Sequence, residues 1–301
     1  MDTDSTPGSR TARSGPAAGL VTAPGPGGGR VSPGICVSVI APAAYLRDFV
    51  AQSPATVHHV AGQRVLDDAA YRAFFREEAQ LGATIVVDNG VFDLGEPLGP
   101  GDLVRAARAV EAEEIILPDV MGDGAATVAA SEDAAAELLK VSDEFRLCAV
   151  VHGAGDDEWL RCYDHFVSSG YVGAVALPAS RSKEPSGELC KNRVAATRYL
   201  HARGLVDPRL TYRLLGLGRA GHLELPRQRE HAWISSVDCA APVILGAMGI
   251  RMRPDGPYEK VPTPRVETLG DIDPALFPLI RDNISTVRRA AGCRIEIGAP
   301  R

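Results

Sequence analysis

The sequence predicts an α/β protein, a (β/α)8 barrel of the TIM type, with a doubly wound open sheet as the competing architecture. Three observations predict it. From about Ile35 onward, short β-branched runs alternate with Ala-, Leu- and Glu-rich stretches of helical spacing. Most of these runs are apolar throughout, as expected of parallel strands covered on both faces. Four runs end in a polar residue, Asp88, Asp119, His152 and Asp238, and parallel strands deliver all such ends to the one face where barrel enzymes keep their active sites.

In chain order, residues 1–33 are rich in Gly, Pro, Ser and Thr and contain Ala23-Pro-Gly-Pro-Gly-Gly-Gly29, which predicts a disordered tail. Residues 34–301 are expected to form a single domain. Strands are predicted over Val37 to Ala41, Thr84 to Asp88, Glu114 to Asp119, Arg146 to His152, Val172 to Leu177, Tyr212 to Gly216 and Ile234 to Asp238. An eighth comes either from the Thr56 to Val60 region or from after Ala241. Helices are predicted over Asp67 to Gln80, Gly101 to Ala112, Ala125 to Lys140, Asp156 to Ser169, Glu188 to Arg203 and His222 to Ala232. Asp156 and Asp157 supply an N-cap and an acidic first turn, and Gly170 and Gly204 the residues that terminate helices.

Composition sets the outer limits. With 45% hydrophobic and 23% charged residues in 301, the chain is neither disordered overall nor collagen-like. Its 32 Lys+Arg against 38 Asp+Glu give a net charge of −6, which argues against a dedicated electrostatic binder of nucleic acid. Six scattered cysteines form no CxxC pair, so reduced thiols, no bound zinc and no cofactor are expected. No run approaches the roughly 20 apolar residues of a membrane span, and the N-terminal segment has no apolar core of a signal peptide, so a cytoplasmic chain is expected.

Three carboxylates carry the chemical reading. Asp88 precedes Asn-Gly, a turn signal that holds it at the lip of its strand. Asp119 follows Pro118, and Asp238 follows the apolar end of its own run. A single strand-end aspartate is more often a helix cap or loop bracket, but three with a His on one face point to function. Paired carboxylates of this kind suit displacement at an anomeric carbon, one as nucleophile and the other as proton shuttle. His58-His59 is expected to be a solvated loop pair. Arg213, Arg219, Arg227, Arg229, Arg251 and Arg253, with Lys183, are candidate phosphate contacts. Gly216-Leu-Gly218 is no dinucleotide fingerprint, because its third Gly and acidic partner are missing.

The ordered set Val87-Asp-Asn-Gly-Val-Phe92, Leu117-Pro-Asp119, Val151-His-Gly153, Leu214-Leu-Gly-Leu-Gly218 and Val237-Asp-Cys239 resembles the tRNA-guanine transglycosylase superfamily, including its shorter branch linked to inserting 7-deazapurines into DNA. The likeness spans roughly Ile35 to Arg251. It implies a base exchange in which Asp238 attacks C1′ and forms a covalent enzyme–sugar intermediate, Asp88 moves the proton, and Asp119 accepts hydrogen bonds from the base. It further implies that His152, Gly153, Phe92, Ala176, Leu177, Gly216 and Gly218 bind substrate. His152 stands where the family has Gln, and Ala176-Leu177 where it commonly has Gly-Gly. The family's zinc motif is absent, which turns the expected partner from tRNA toward DNA or a free nucleoside, with a purine or 7-deazapurine as the base. The alternatives are a catalytically silent nucleic-acid-binding subunit, and an unrelated barrel aldolase or lyase, which would need a strand-end lysine that is not evident. A homodimer is the default assembly.

Overall fold

The computed structural model describes residues 34–51, 57–179, 186–218, 221–255 and 264–293. The predicted tail at 1–33 lies outside them. Eight strands form one parallel sheet: β1 (Cys36–Val39), β2 (Val57–Ala61), β3 (Thr84–Asp88), β4 (Glu114–Ile116), β5 (Arg146–Val150), β6 (Ala174–Pro178), β7 (Thr211–Leu215) and β8 (Ile234–Cys239). Their hydrogen-bonded order is β1-β8-β7-β6-β5-β4-β3-β2, so β1 and β2 are the two ends of the sheet. Side chains bridge that last seam. The Val57 N–H points to Cys36 Sγ at 3.4 Å, and the His59 N–H donates to Ser38 Oγ at 2.8 Å. The sheet therefore rolls into a barrel, as predicted, and the eighth strand is the Thr56 to Val60 candidate rather than the one after Ala241.

The helices between and after the strands are α1 (Leu46–Phe49), α2 (Gly62–Asp67), α3 (Ala69–Gln80), α4 (Val91–Leu94), α5 (Pro100–Ala109), α6 (Gly124–Val141), α7 (Asp156–Ser168), α8 (Glu188–Lys191), α9 (Arg193–Ala202), α10 (Leu225–Gln228), α11 (Ala241–Ala247) and α12 (Phe277–Ala290). Their starts follow from capping chemistry. Asp68 accepts from the Ala70 and Tyr71 N–H groups at the head of α3, Asp123 from Ala126 at α6, and Asn192 from Val194 and Ala195 at α9. The Asn192 cap also divides the helix predicted over Glu188 to Arg203 into α8 and α9. Gly170 and Gly204 take φ of 73° and 66°, the left-handed conformation expected of helix terminators.

Strand alternation sorts side chains into two cores. Outward-facing Val60, Ile85, Val87, Ile115, Leu147, Val175, Leu214 and Val237 pack under the helices, while Val86, Ile116, Cys148, Val150, Ala174 and Ala176 fill the lumen. A bulge at Ser235 interrupts this rule on β8, where Ile234 pairs with Tyr212 but Ser236 pairs with Arg213. The extra residue shifts the alternation, so Ile234 and Val237 both face the outer core and Asp238 faces inward.

Two sequence readings need correction at this level. His58 and His59 are not solvated: they lie on β2 with relative exposures of 1% and 7%. His58 meets Glu78 of α3 at 3.1 Å, and His59 meets Ser236 Oγ across the lumen at 3.3 Å. Arg213 is no phosphate contact either. It is buried inside the barrel, where Nε and Nη2 hold Glu114 at 2.6 and 2.8 Å and Nη1 donates to Ser236 Oγ at 2.8 Å.

Candidate active site

A cavity of about 600 Å³ opens at the C-terminal ends of the strands, lined by Asp88, Asp119, His152 and Asp238 together. Parallel pairing delivers all four to it, as the recurrence of a polar residue after each apolar run predicts.

Asp88 is the last residue of β3. Gly90 takes φ of 80°, a conformation glycine adopts without strain, and its N–H donates to Asp88 Oδ1 at 2.7 Å. Asn89 between them is a brace that the sequence reading missed. Its Nδ2 donates to Leu117 O at 2.7 Å and to Asp119 Oδ1 at 2.8 Å, locking the end of β3 to the segment after β4. His152 reaches the other Asp119 oxygen, with Nε2 2.8 Å from Oδ2, while its Nδ1 accepts from the Gly122 N–H at 3.3 Å. Because Nδ1 is an acceptor, Nε2 carries the proton and donates to Asp119. Asp119 thus meets a ligand with both oxygens already oriented by donors.

Asp238 stands on β8 and accepts from the Gly216 N–H at 2.7 Å. Gly216 has φ of 70°, and this left-handed turn after β7 is what presents its amide to the carboxylate. The adjacent Cys239 is no rival nucleophile: it is buried, and burial pushes its thiol up to about 12.

Burial also raises Asp88, from 3.8 to about 7. The negative charges of Asp119, Asp238 and Asp93 add to this, and the Gly90 N–H opposes it. Between these two values the folded chain holds a proton that the unfolded chain has lost. The stability that Asp88 contributes is therefore fully present below about pH 4 and is lost as pH rises through about 7. Asp88→Asn removes that titration. Its thermal midpoint should match the wild type near pH 4 and exceed it by several degrees at pH 8, read by scanning fluorimetry. An offset that is constant across pH would show that Asp88 is not the strained acid.

Phe92 on α4, 49% exposed, lines the mouth, and Gly216 and Gly218 line it too. Three predicted binding residues are not brought to the cavity. Ala176 is fully buried in the lumen packing. Gly153 and Leu177 line instead an adjoining crevice of about 30 Å³ beside α7 and α9, which shares His152 and Pro178 with the cavity. Gly153 is needed for packing, since a Cβ there would come within 2.5 Å of the Trp159 nitrogen at the start of α7. Leu177 faces outward by strand alternation. Of the predicted phosphate contacts, Arg251 pairs with Asp282 at 2.7 Å, and neither it nor Arg227, Arg229 or Arg253 lines the cavity. Arg219 and Lys183 lie outside the described residues. The arginines that do line it, Arg64 on α2 and Arg265, form no ion pair among the described residues, although Arg265 donates to Asp93 O at 3.3 Å. They were missed because they fall outside every motif and follow no apolar run.

Among the described residues, no group of three or more His, Cys, Asp and Glu side chains is placed to hold a metal ion, and no helix is long and apolar enough to cross a membrane.

Fold and site together define a parallel β/α barrel with an acid-lined cavity at its C-terminal mouth. No family profile matches the chain, and no curated protein matches it. Among solved structures it is similar to the carboxyl transferase domain of Rhizobium etli pyruvate carboxylase with 3-bromopyruvate, with a TM-score of 0.44 and 10% identity over 90% of this chain and 49% of that one. The chain thus spans about half the length of that protein. It is also similar to a candidate dihydrodipicolinate synthetase from Pseudomonas aeruginosa, with a TM-score of 0.39 and 14% identity over 89% of this chain and 91% of that one.

Proposed function

We propose that the chain is a base-exchange transglycosylase that replaces guanine or a related purine by a 7-deazapurine through a glycosyl–Asp238 intermediate. The observation that carries this reading is a pair of carboxyls of unequal character on one cavity: Asp238, oriented by the Gly216 amide, and Asp88, whose proton is retained to about pH 7.

In the first half-reaction Asp238 attacks C1′ as the bond from C1′ to the purine nitrogen breaks, and Asp88 gives its proton to the departing base. In the second, Asp88 takes a proton from the incoming base, whose nitrogen attacks C1′ and displaces Asp238. Two displacements retain the configuration of the sugar. Asp119, with His152 and Asn89 fixing its oxygens, accepts from the base edge, and Phe92 offers a face for stacking at the mouth. Arg64 and Arg265, which form no ion pair among the described residues, stand beside this acidic floor and favour a substrate that carries phosphate, such as a nucleotide in DNA, over a free nucleoside. In duplex DNA the target base has to be extruded to reach the pocket.

The test is incubation with labelled guanine or 7-deazaguanine and, in parallel, with DNA, tRNA and free nucleosides. Label is expected in DNA, and with a DNA acceptor an adduct of intact mass equal to the chain plus the DNA strand less the departed base is expected on denaturation. Label in none of the acceptors, with no adduct, would overturn the proposal and favour a silent binding subunit.

A further inference from the structure

We infer that Arg193 is a positioning residue for Asp238, acting through the single peptide group that joins Leu215 to Gly216. Arg193 opens α9 outside the barrel, yet its side chain is buried and reaches the ends of two strands. Nη1 donates to Leu177 O at 3.0 Å and to Leu215 O at 2.9 Å, and Nη2 donates to Gly216 O at 3.0 Å. Nε and Nη2 close on the two Glu224 oxygens at 2.8 and 3.0 Å. All the donors of the guanidinium are thereby used.

The Leu215 carbonyl and the Gly216 N–H belong to one trans peptide, and so point in opposite directions. On one side the oxygen receives the Arg193 cation together with the Ala179 N–H at 2.8 Å, and on the other the N–H donates to Asp238 Oδ1 at 2.7 Å. A positive charge against the carbonyl oxygen draws electron density toward it, makes the N–H a stronger donor, and fixes the plane in which that N–H points. The series is cation, peptide dipole, carboxylate. The left-handed turn at Gly216 permits it, because both the Leu215 and the Gly216 carbonyls then face Arg193 while the amide faces the cavity. Glu224 offsets part of the guanidinium charge and so sets how strongly the dipole is polarised.

A mere tie between β6 and β7 would use the same carbonyls but would not predict the sign of any effect on Asp238. Among the described residues, the other groups around that carboxylate lie outside the set of contacts that Arg193 makes. The strands flanking β8 present Ser38 from β1, and Arg213 from β7, which is closed on Glu114. Across the cavity stand Asp88, Asp119, His152 and His59, with Arg64, Arg265 and Glu267 also on its wall.

The inference rests on the proposed function for what Asp238 does, and not for how Asp238 is held, so its test needs no substrate. Side-chain carboxyl groups of 13C-aspartate-labelled full-length protein are titrated by NMR, with the Asp238 signal assigned by its loss in Asp238→Asn. Arg193→Met should raise the Asp238 midpoint by on the order of half to one pH unit. Arg193→Lys, which keeps the charge but not the fork, should lie between it and the wild type. Glu224→Gln should move the midpoint the other way, downward. Should Arg193→Met fail to fold, the opposite signs of Arg193→Lys and Glu224→Gln decide the question. An Asp238 midpoint unmoved in folded variants, or displaced in the same direction by both changes, would overturn the assignment whether or not base exchange is found.

Discussion

Asp238→Asn is expected to lower exchange by several orders of magnitude and to leave no covalent adduct. Asparagine keeps the shape and can still accept from the Gly216 N–H, so the pocket should survive, but the anionic oxygen that must attack C1′ is gone. Asp88→Asn should behave differently. Its nucleophile remains and the first displacement can proceed with water supplying the leaving proton, while the incoming base loses its proton acceptor. The loss then sits in resolving the intermediate, which should accumulate. Intact mass and denaturing gel mobility of both variants after incubation with DNA and 7-deazaguanine separate the cases. Exchange that persists in Asp238→Asn, or an adduct mapped to Asp88, would show that the two carboxylates have been assigned the wrong way round.

The barrel was legible because its strands announce themselves locally: seven apolar runs bracketed by helical stretches coincide with β1 and β3 to β8 to within a few residues. β2 was harder to see, because its Val57-His-His-Val-Ala61 carries two polar side chains whose partners, Glu78 and Ser236, lie 20 and 177 residues away. A histidine is read as solvated until such partners are known. α12 was missed although Ile280, Ile284 and Val287 recur at helical spacing. It sits beyond the last strand, and its place is set by contact: a Cβ on Gly246 of α11 would fall 2.5 Å from Ile280 of α12. No periodicity within either helix contains that fact.

At the site, the residues that end strands could be read, and those set by tertiary geometry could not. Asp88, Asp119, His152 and Asp238 reach one cavity because parallel strands carry them there. Ala176 and Leu177 were placed by their position in a motif, but alternation on β6 sends one into the lumen packing and the other outward. The Asp238 orientation itself depends on a one-residue bulge at Ser235, whose Oγ donates to Tyr212 O at 2.7 Å, and nothing in Ile-Ser-Ser-Val-Asp marks which serine is extra. Asn89 was read only as part of a turn signal, although it turns out to bind Asp119.

Under the acid-lined floor, the Glu114–Arg213 pair should prove the most sensitive point of the fold. Glu114 is fully buried at the start of β4, and Arg213 holds it in a two-pronged contact at 2.6 and 2.8 Å, with exposed-side Arg146 as a weaker third member at 3.3 Å. Removing one partner strands the other's charge in the lumen, at a cost of about 3–5 kcal/mol. Arg213→Met also takes a donor from Ser236 Oγ, and with it the group that Ser236 uses to orient toward His59. Its thermal midpoint should therefore fall by on the order of 10 °C. Replacing both members, Glu114→Leu with Arg213→Met, removes the charges together and fills the space with apolar groups, so much of the loss should be regained. Calorimetry of the two single variants and the double forms the cycle that checks this. A double variant less stable than either single one would mean that the lumen needs the ion pair for its polar network as a whole, and not only to avoid an unpaired charge.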